Sequence, residues 1–93
     1  MTLTVFGSRF NVGHLVITQG ASELPQDEVW EGLNRHMNGD WGEVDDYDWG
    51  ENDVALDYGM RLMSCYSTLS GTVFWIITQH DRSYTTILLP AEH

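Results

Sequence analysis

The run Thr72-Val73-Phe74-Trp75-Ile76-Ile77-Thr78 limits the fold more than any other part of this chain. It is rich in β-branched and aromatic residues and lies between two turn-forming stretches, Ser70-Gly71 and His80-Asp81-Arg82-Ser83, so it reads as a strand. Alternation sends Val73, Trp75 and Ile77 to one side of a sheet and Phe74 and Ile76 to the other. Both sides are apolar. The strand is therefore central, and each face needs a cover. Residues 61–67 and 84–89, the latter stopped by Pro90, read as its neighbours. The short turns between them make an antiparallel meander.

The upstream half supplies the cover. Residues 12–18 read as a further strand, with Leu15-Val16-Ile17 at its centre. Pro25 suits the first turn of a helix, where its missing N–H costs nothing. Asp27, Glu28 and Glu31 lie near the positive end of that helix's dipole. Val29, Leu33 and Met37, with Trp30 beside them, form an apolar stripe at helical spacing, which places the helix over residues 25–37. Gly39 suits its C-terminal cap. A second helix is expected to start at Asp45 or Asp46 and run to Tyr58, with Val54, Leu56 and Tyr58 partly inward and Gly59 closing it. Gly50 costs about 1 kcal/mol inside a helix, so only residues 51–58 are predicted to be firmly helical. Residues 1–10 read as a tail or edge strand. The expectation is one α+β domain over residues 1–93, an antiparallel sheet in the order β-α-α-β-β-β with helices packed on one face. The opposite face is left to the N-terminal segment or to a second copy of the chain, a homodimer.

Charge sets the expected chemistry. Fourteen Asp and Glu face four Lys and Arg, for a formal net charge of −10, and all four bases are arginine. Such a chain repels phosphate backbones and anionic membranes, because affinity for nucleic acid rests on Lys and Arg neutralising phosphates. The expected partner is basic. Asp40, Glu43, Asp45, Asp46, Asp48, Glu51 and Asp53 make up half of the carboxylates. Trp41, Tyr47 and Trp49 are threaded among them. Seven acids this close repel one another, so the stretch is read as a binding surface, with the carboxylates as its field and the three aromatics as anchors. A solvated acidic loop and helix start is the plainer alternative.

Other chemistries find little support. Setting Gly50 as the glycine of a calcium loop makes Asp45 the first ligand. Tyr47 and Trp49 then fall where oxygen ligands belong, and Leu56 where the bidentate glutamate belongs. His14, His36, His80 and His93 are scattered, and no pair has the spacing of a metal site on one helix. There is no Gly-x-Ser-x-Gly elbow and no lysine for a Schiff base or a phosphate loop. Cys65 sits mid-strand in an apolar setting, as a structural thiol does. No enzyme activity, cofactor or metal site is expected. A single cysteine fits a reducing compartment, and residues 1–6 lack the basic region of a signal peptide, so the cytoplasm is the expected location.

Several blocks resemble a group of short acidic proteins encoded on plasmids and integrative elements. They are Arg35-His36, Gly39-Asp40-Trp41-Gly42, Asn52-Asp53-Val54-Ala55-Leu56 with Gly59, and Arg61-Leu62-Met63-Ser64. The most specific block is Trp75-Ile76-Ile77-Thr78 followed by Asp81-Arg82-Ser83 and Thr85-Thr86-Ile87-Leu88-Leu89-Pro90. The chain departs from that group in a shorter segment before Pro25 and in Tyr47-Asp48-Trp49-Gly50. The resemblance carries no activity. It implies a mobile-element setting, in which small acidic proteins blunt host defence. The expectation is a non-catalytic inhibitor of the anti-CRISPR or anti-restriction type. It would occupy a basic nucleic-acid-binding surface of a protein or ribonucleoprotein complex. The alternative is a mobile-element interaction or regulatory module that works through its sheet.

Overall fold

The computed structural model describes residues 8–93. The tail or edge strand expected over residues 1–10 lies, up to residue 7, outside the described residues. The elements are β1 (His14–Ile17), α1 (Gln19–Ser22), α2 (Gln26–Met37), α3 (Asp46–Tyr58), β2 (Leu62–Ser67), β3 (Val73–Thr78) and β4 (Tyr84–Leu88), closed by a 3-10 turn at Pro90–Glu92. This is an α+β fold. The C-terminal meander is as expected, with β2–β3 and β3–β4 both antiparallel.

The sheet is not antiparallel throughout. Its order is β1-β4-β3-β2, and β1 lies parallel to β4. The meander leaves two edges for β1, and the edge at β2 is taken. There the Cys65 N–H donates to the Trp41 carbonyl (3.2 Å) and the Glu43 N–H to the Cys65 carbonyl (2.7 Å). The amide of Asn52 pairs both ways with the backbone of Met63, at 2.7 and 3.1 Å. Gly42, φ 75°, permits the approach, since a Cβ there would sit 2.1 Å from the Cys65 carbonyl oxygen. Residues 41–43 are thus a short pairing partner of β2. Only the β4 edge remains for β1.

One sheet face carries Leu15, Ile17, Leu62, Tyr66, Phe74, Ile76 and Ile87, and α2 covers it with Val29 and Leu33. The helix sits close because Gly32 has no Cβ; one would stand 2.9 Å from the Phe74 ring. A second apolar cluster, Trp41, Ala55 and Leu62 with Phe10, Val44, Trp49 and Leu56 against it, joins α3 to the β2 edge. The far face was assigned to the N-terminal segment or a second copy. Part of its cover is the chain's own C-terminus: His93 sets its ring edge-on to Trp75 at 5.5 Å, and Ile77 and Leu88 are buried. Glu92 holds this end down, accepting from the Thr18 hydroxyl (2.5 Å), the Gly20 N–H (3.0 Å) and the Leu89 N–H (2.9 Å). The Thr18 hydrogen bond, with those two amides, keeps the Glu92 carboxyl below its ordinary value. Val16, Val73 and Tyr84 on this face stay partly exposed.

Arg82, in the β3–β4 turn, binds backbone carbonyls. Its guanidinium donates to Met60 O (2.6 Å), Gln79 O (3.0 Å) and Ala55 O (3.2 Å), so one cation ties the β3–β4 turn to the C-terminal end of α3. That end carries the negative pole of the helix dipole. Arg82 accepts a left-handed backbone, φ 61°, to reach it. Arg82→Ala keeps the unfavourable φ and removes every one of these bonds. It should cost about 2–4 kcal/mol, on the scale of charged hydrogen bonds, read as a drop in the urea midpoint. Lysine should restore only part, because it lacks the planar fork.

Candidate interaction surface

The ten residues singled out from sequence divide into two sets. Trp41 belongs to the core and is not an anchor: it is 0 % exposed, stacked on Phe10 at 6.4 Å and edge-on to His36 at 5.5 Å, and its indole N–H donates to Asp53 (3.0 Å). Trp49 also turns inward, onto the second cluster. The reason is spatial. The chain must cross from α2 to the edge of β2, and that crossing leaves an apolar gap that an indole fills. Of the three aromatics only Tyr47 faces water, 74 % exposed.

The carboxylates divide likewise. Asp40 makes a two-point contact with Arg35, at 2.8 and 3.3 Å, and accepts from the Gly42 N–H (3.1 Å). The hydrogen bond from Arg35 is the main reason its carboxyl is held low. Arg35 in turn lies over the Tyr66 ring at 4.9 Å. Glu43 accepts from the Ser67 hydroxyl (2.7 Å). Asp45 is the N-cap of α3, accepting from the Asp48 N–H (2.8 Å). Asp53 accepts from Trp41. These four acids therefore have a local structural task, while remaining partly exposed.

Asp46, Asp48 and Glu51 point to solvent on α3. The helix is continuous through Gly50, so the irregular first half expected from that glycine is not found; the Asp45 cap and the contacts of Trp49, Asn52 and Ala55 carry it. Its phase also differs from the expected one. Asn52 and Ala55 are the buried positions, while Val54 and Tyr58 are 50 % and 78 % exposed. The hydrogen bonds of Asn52 to Met63 decide this, because they aim that side of the helix at the sheet edge. Tyr47, Val54 and Tyr58 then form an outward row at i, i+7 and i+11. Asp46 and Asp57 lie along one side of it and Glu51 along the other. Sequence reasoning missed Asp57, Val54 and Tyr58 as surface residues; their spacing from Tyr47 was the available signal. The Glu51 carboxylate, hydrogen-bonded to Tyr47, raises that phenol above its ordinary value.

No family model, curated protein or solved structure matches the chain.

The arginines leave this outward face alone. Among the described residues, Arg35–Asp40 is the one salt bridge. Arg82 is spent on carbonyls, and Arg61 lies 3.4 Å from His93. No three His, Cys, Asp or Glu side chains among the described residues are placed to hold an ion together. Among the described residues no helix is long and apolar enough to cross a membrane.

His36, buried, sits in a chain of hydroxyls with no carboxylate partner. Its Nδ1 lies 2.5 Å from Ser64 Oγ and its Nε2 2.9 Å from Thr78 Oγ1, which is 2.7 Å from Thr85 Oγ1. Thr85 donates onward to the Val12 carbonyl (2.8 Å). That last bond fixes the rest. Thr85 has one proton and spends it on Val12, so Thr78 donates to Thr85, His36 Nε2–H donates to Thr78, and Ser64 donates to Nδ1. Ser64 and His36 are both 0 % exposed, so the pair is closed to any substrate. Cys65 is half-buried, and burial first, then the charge of Glu43, pushes its thiol up, away from the reactive thiolate.

Proposed function

We propose that this protein is a non-catalytic inhibitor of a host nucleic-acid-binding defence complex, of the anti-CRISPR or anti-restriction type. It acts by laying the outward face of α3 on a basic surface of that complex. The observation that carries the reading is the unneutralised charge of α3 beside exposed aromatics. Asp46, Asp48, Glu51, Asp53 and Asp57 are spread over a helix of 13 residues. At 1.5 Å per residue that is about one carboxylate per 4 Å. One strand of duplex DNA presents a phosphate every ~3.4 Å. A cationic channel built for a phosphate backbone would meet a similar charge density, and Tyr47 and Tyr58 would add desolvated contacts. The resemblance to acidic mobile-element proteins points the same way, and the cytoplasm is where such a target operates.

The test is co-purification and nucleic-acid competition with purified CRISPR effector and restriction complexes at low and high salt. The variant Asp46→Asn, Asp48→Asn, Glu51→Gln, Asp57→Asn leaves the structural acids in place. It should keep the fold and lose binding by about a hundredfold or more, at ~1 kcal/mol for each interfacial charge. Undiminished binding by this variant would sink charge mimicry. A second reading rests on the partly exposed Val16, Val73 and Tyr84: a module that pairs through the far sheet face, with a second copy or another element-encoded protein. It predicts association indifferent to salt and lost in Val16→Ser with Tyr84→Ser.

A further inference from the structure

Gly50 has no structural justification where it stands. It lies in the interior of α3, on the solvent side, and a Cβ built there would meet nothing within 4 Å among the described residues. Its φ is not positive, so no turn requires glycine. Every other residue type except proline would make the helix more stable at this point. The residue flanks the exposed row on the side of Asp46 and Asp57: Tyr47 lies one turn before it, Val54 one turn after and Tyr58 two turns after. At mid-row this flank carries no side chain between Asp46 and Asp57, while Glu51 lines the other flank. A notch beside an apolar seam lets another backbone approach at short range, as helices do where they cross at small residues.

We infer that the element docking on α3 is a cationic amphipathic helix of the partner, crossing at Gly50. Its apolar stripe seats between Tyr47, Val54 and Tyr58, and its Lys and Arg flank the seam to meet Asp46, Asp57 and Glu51. A phosphate-like field alone would ask for no notch; a seated helix does. This deepens the proposed function and rests on its claim that the α3 face meets the partner.

The probe is a synthetic helical peptide with leucines along one stripe and arginines on either side, titrated beside a peptide of the same composition in scrambled order. The ordered peptide should bind about tenfold more tightly than the scrambled one. Gly50→Ala should raise the melting temperature by about 4–8 °C. The same change should weaken the ordered peptide by about tenfold and leave the scrambled one unchanged. Because the variant is stabilised, lost binding cannot come from unfolding. A Gly50→Ala protein that binds the ordered peptide as the parent does, or equal binding of both peptides by the parent, overturns the helix seat. The combination Asp46→Asn, Glu51→Gln, Asp57→Asn separates the two levels. If it weakens both peptides while Gly50→Ala weakens neither, the acidic surface stands and the seat falls. If it binds both like the parent, the acidic surface falls too.

Discussion

Trp41→Ala should lower stability by about 3–5 kcal/mol, the usual cost of emptying a large aromatic site in a core. The indole is wholly buried and is the largest side chain so enclosed. It touches Phe10, His36 and the α3 cluster, so the cavity would open where three parts of the chain meet. A domain of this size has about 5–15 kcal/mol in all. With a urea slope of ~1–3 kcal/mol/M, the midpoint should fall by about 2 M. Tyr47→Ala, a neighbour in the same acidic stretch, should stay within about 0.5 kcal/mol of the parent, because its ring faces water. The two substitutions should also separate in binding. Tyr47→Ala should weaken the partner complex, and Trp41→Phe, which preserves most of the packing, should not. Equal effects on stability from Trp41→Ala and Tyr47→Ala would mean that the crossing between α2 and β2 is packed otherwise than described.

The second large effect is in pH. Burial, and to a smaller degree the charge of Arg82, pushes the His36 imidazole down from 6.5 to about 3. Protonation would put a charge among hydroxyls and aromatic edges and would break the bond from Ser64, whose acceptor is Nδ1. In the unfolded chain the same ring titrates near its ordinary value. Between the two values the unfolded state holds a proton that the folded state lacks, so stability rises with pH. The contribution of neutral His36 is complete above about pH 6.5 and is lost as pH falls towards about 3. The rate is ~1.4 kcal/mol per pH unit. From pH 6.5 to 5 the loss should be about 2 kcal/mol. His36→Gln keeps a donor for Thr78 and an acceptor for Ser64 but does not titrate. It should be less stable at pH 7.5 and nearly flat across that window. Chemical denaturation of both proteins at pH 7.5, 6 and 5 checks this. Parallel curves would show that the imidazole is not held neutral.

Much of the fold could be read from residue order, and the reason is local. β3 announces itself because its apolar residues occupy both alternating positions, which only an interior strand can use. Its neighbours follow because Ser70-Gly71 and Asp81-Arg82-Ser83 reverse the chain. α2 follows from Val29, Leu33 and Met37, and its boundaries from Pro25 and Gly39. These signals lie within a few residues of the structure they specify. The charge balance is equally independent of folding: fourteen acids against four arginines make the chain acidic wherever the side chains end up.

What the sequence left undecided depended on contacts far apart in the chain. Nothing near β1 says that it will lie parallel to β4, 70 residues away in the register His14↔Tyr84. That followed from Trp41, Gly42, Glu43 and Asn52 occupying the other edge. The same event set the phase of α3, since Asn52 must face Met63. The phase in turn sent Trp49 inward and Tyr58 outward. Trp41 looked like an anchor among acids because its neighbours in sequence are charged, yet its neighbours in space are Phe10, His36 and Leu62. Composition fixes the charge a surface can carry. Only the packing of the edge strand determines which of those charges and rings face the solvent together.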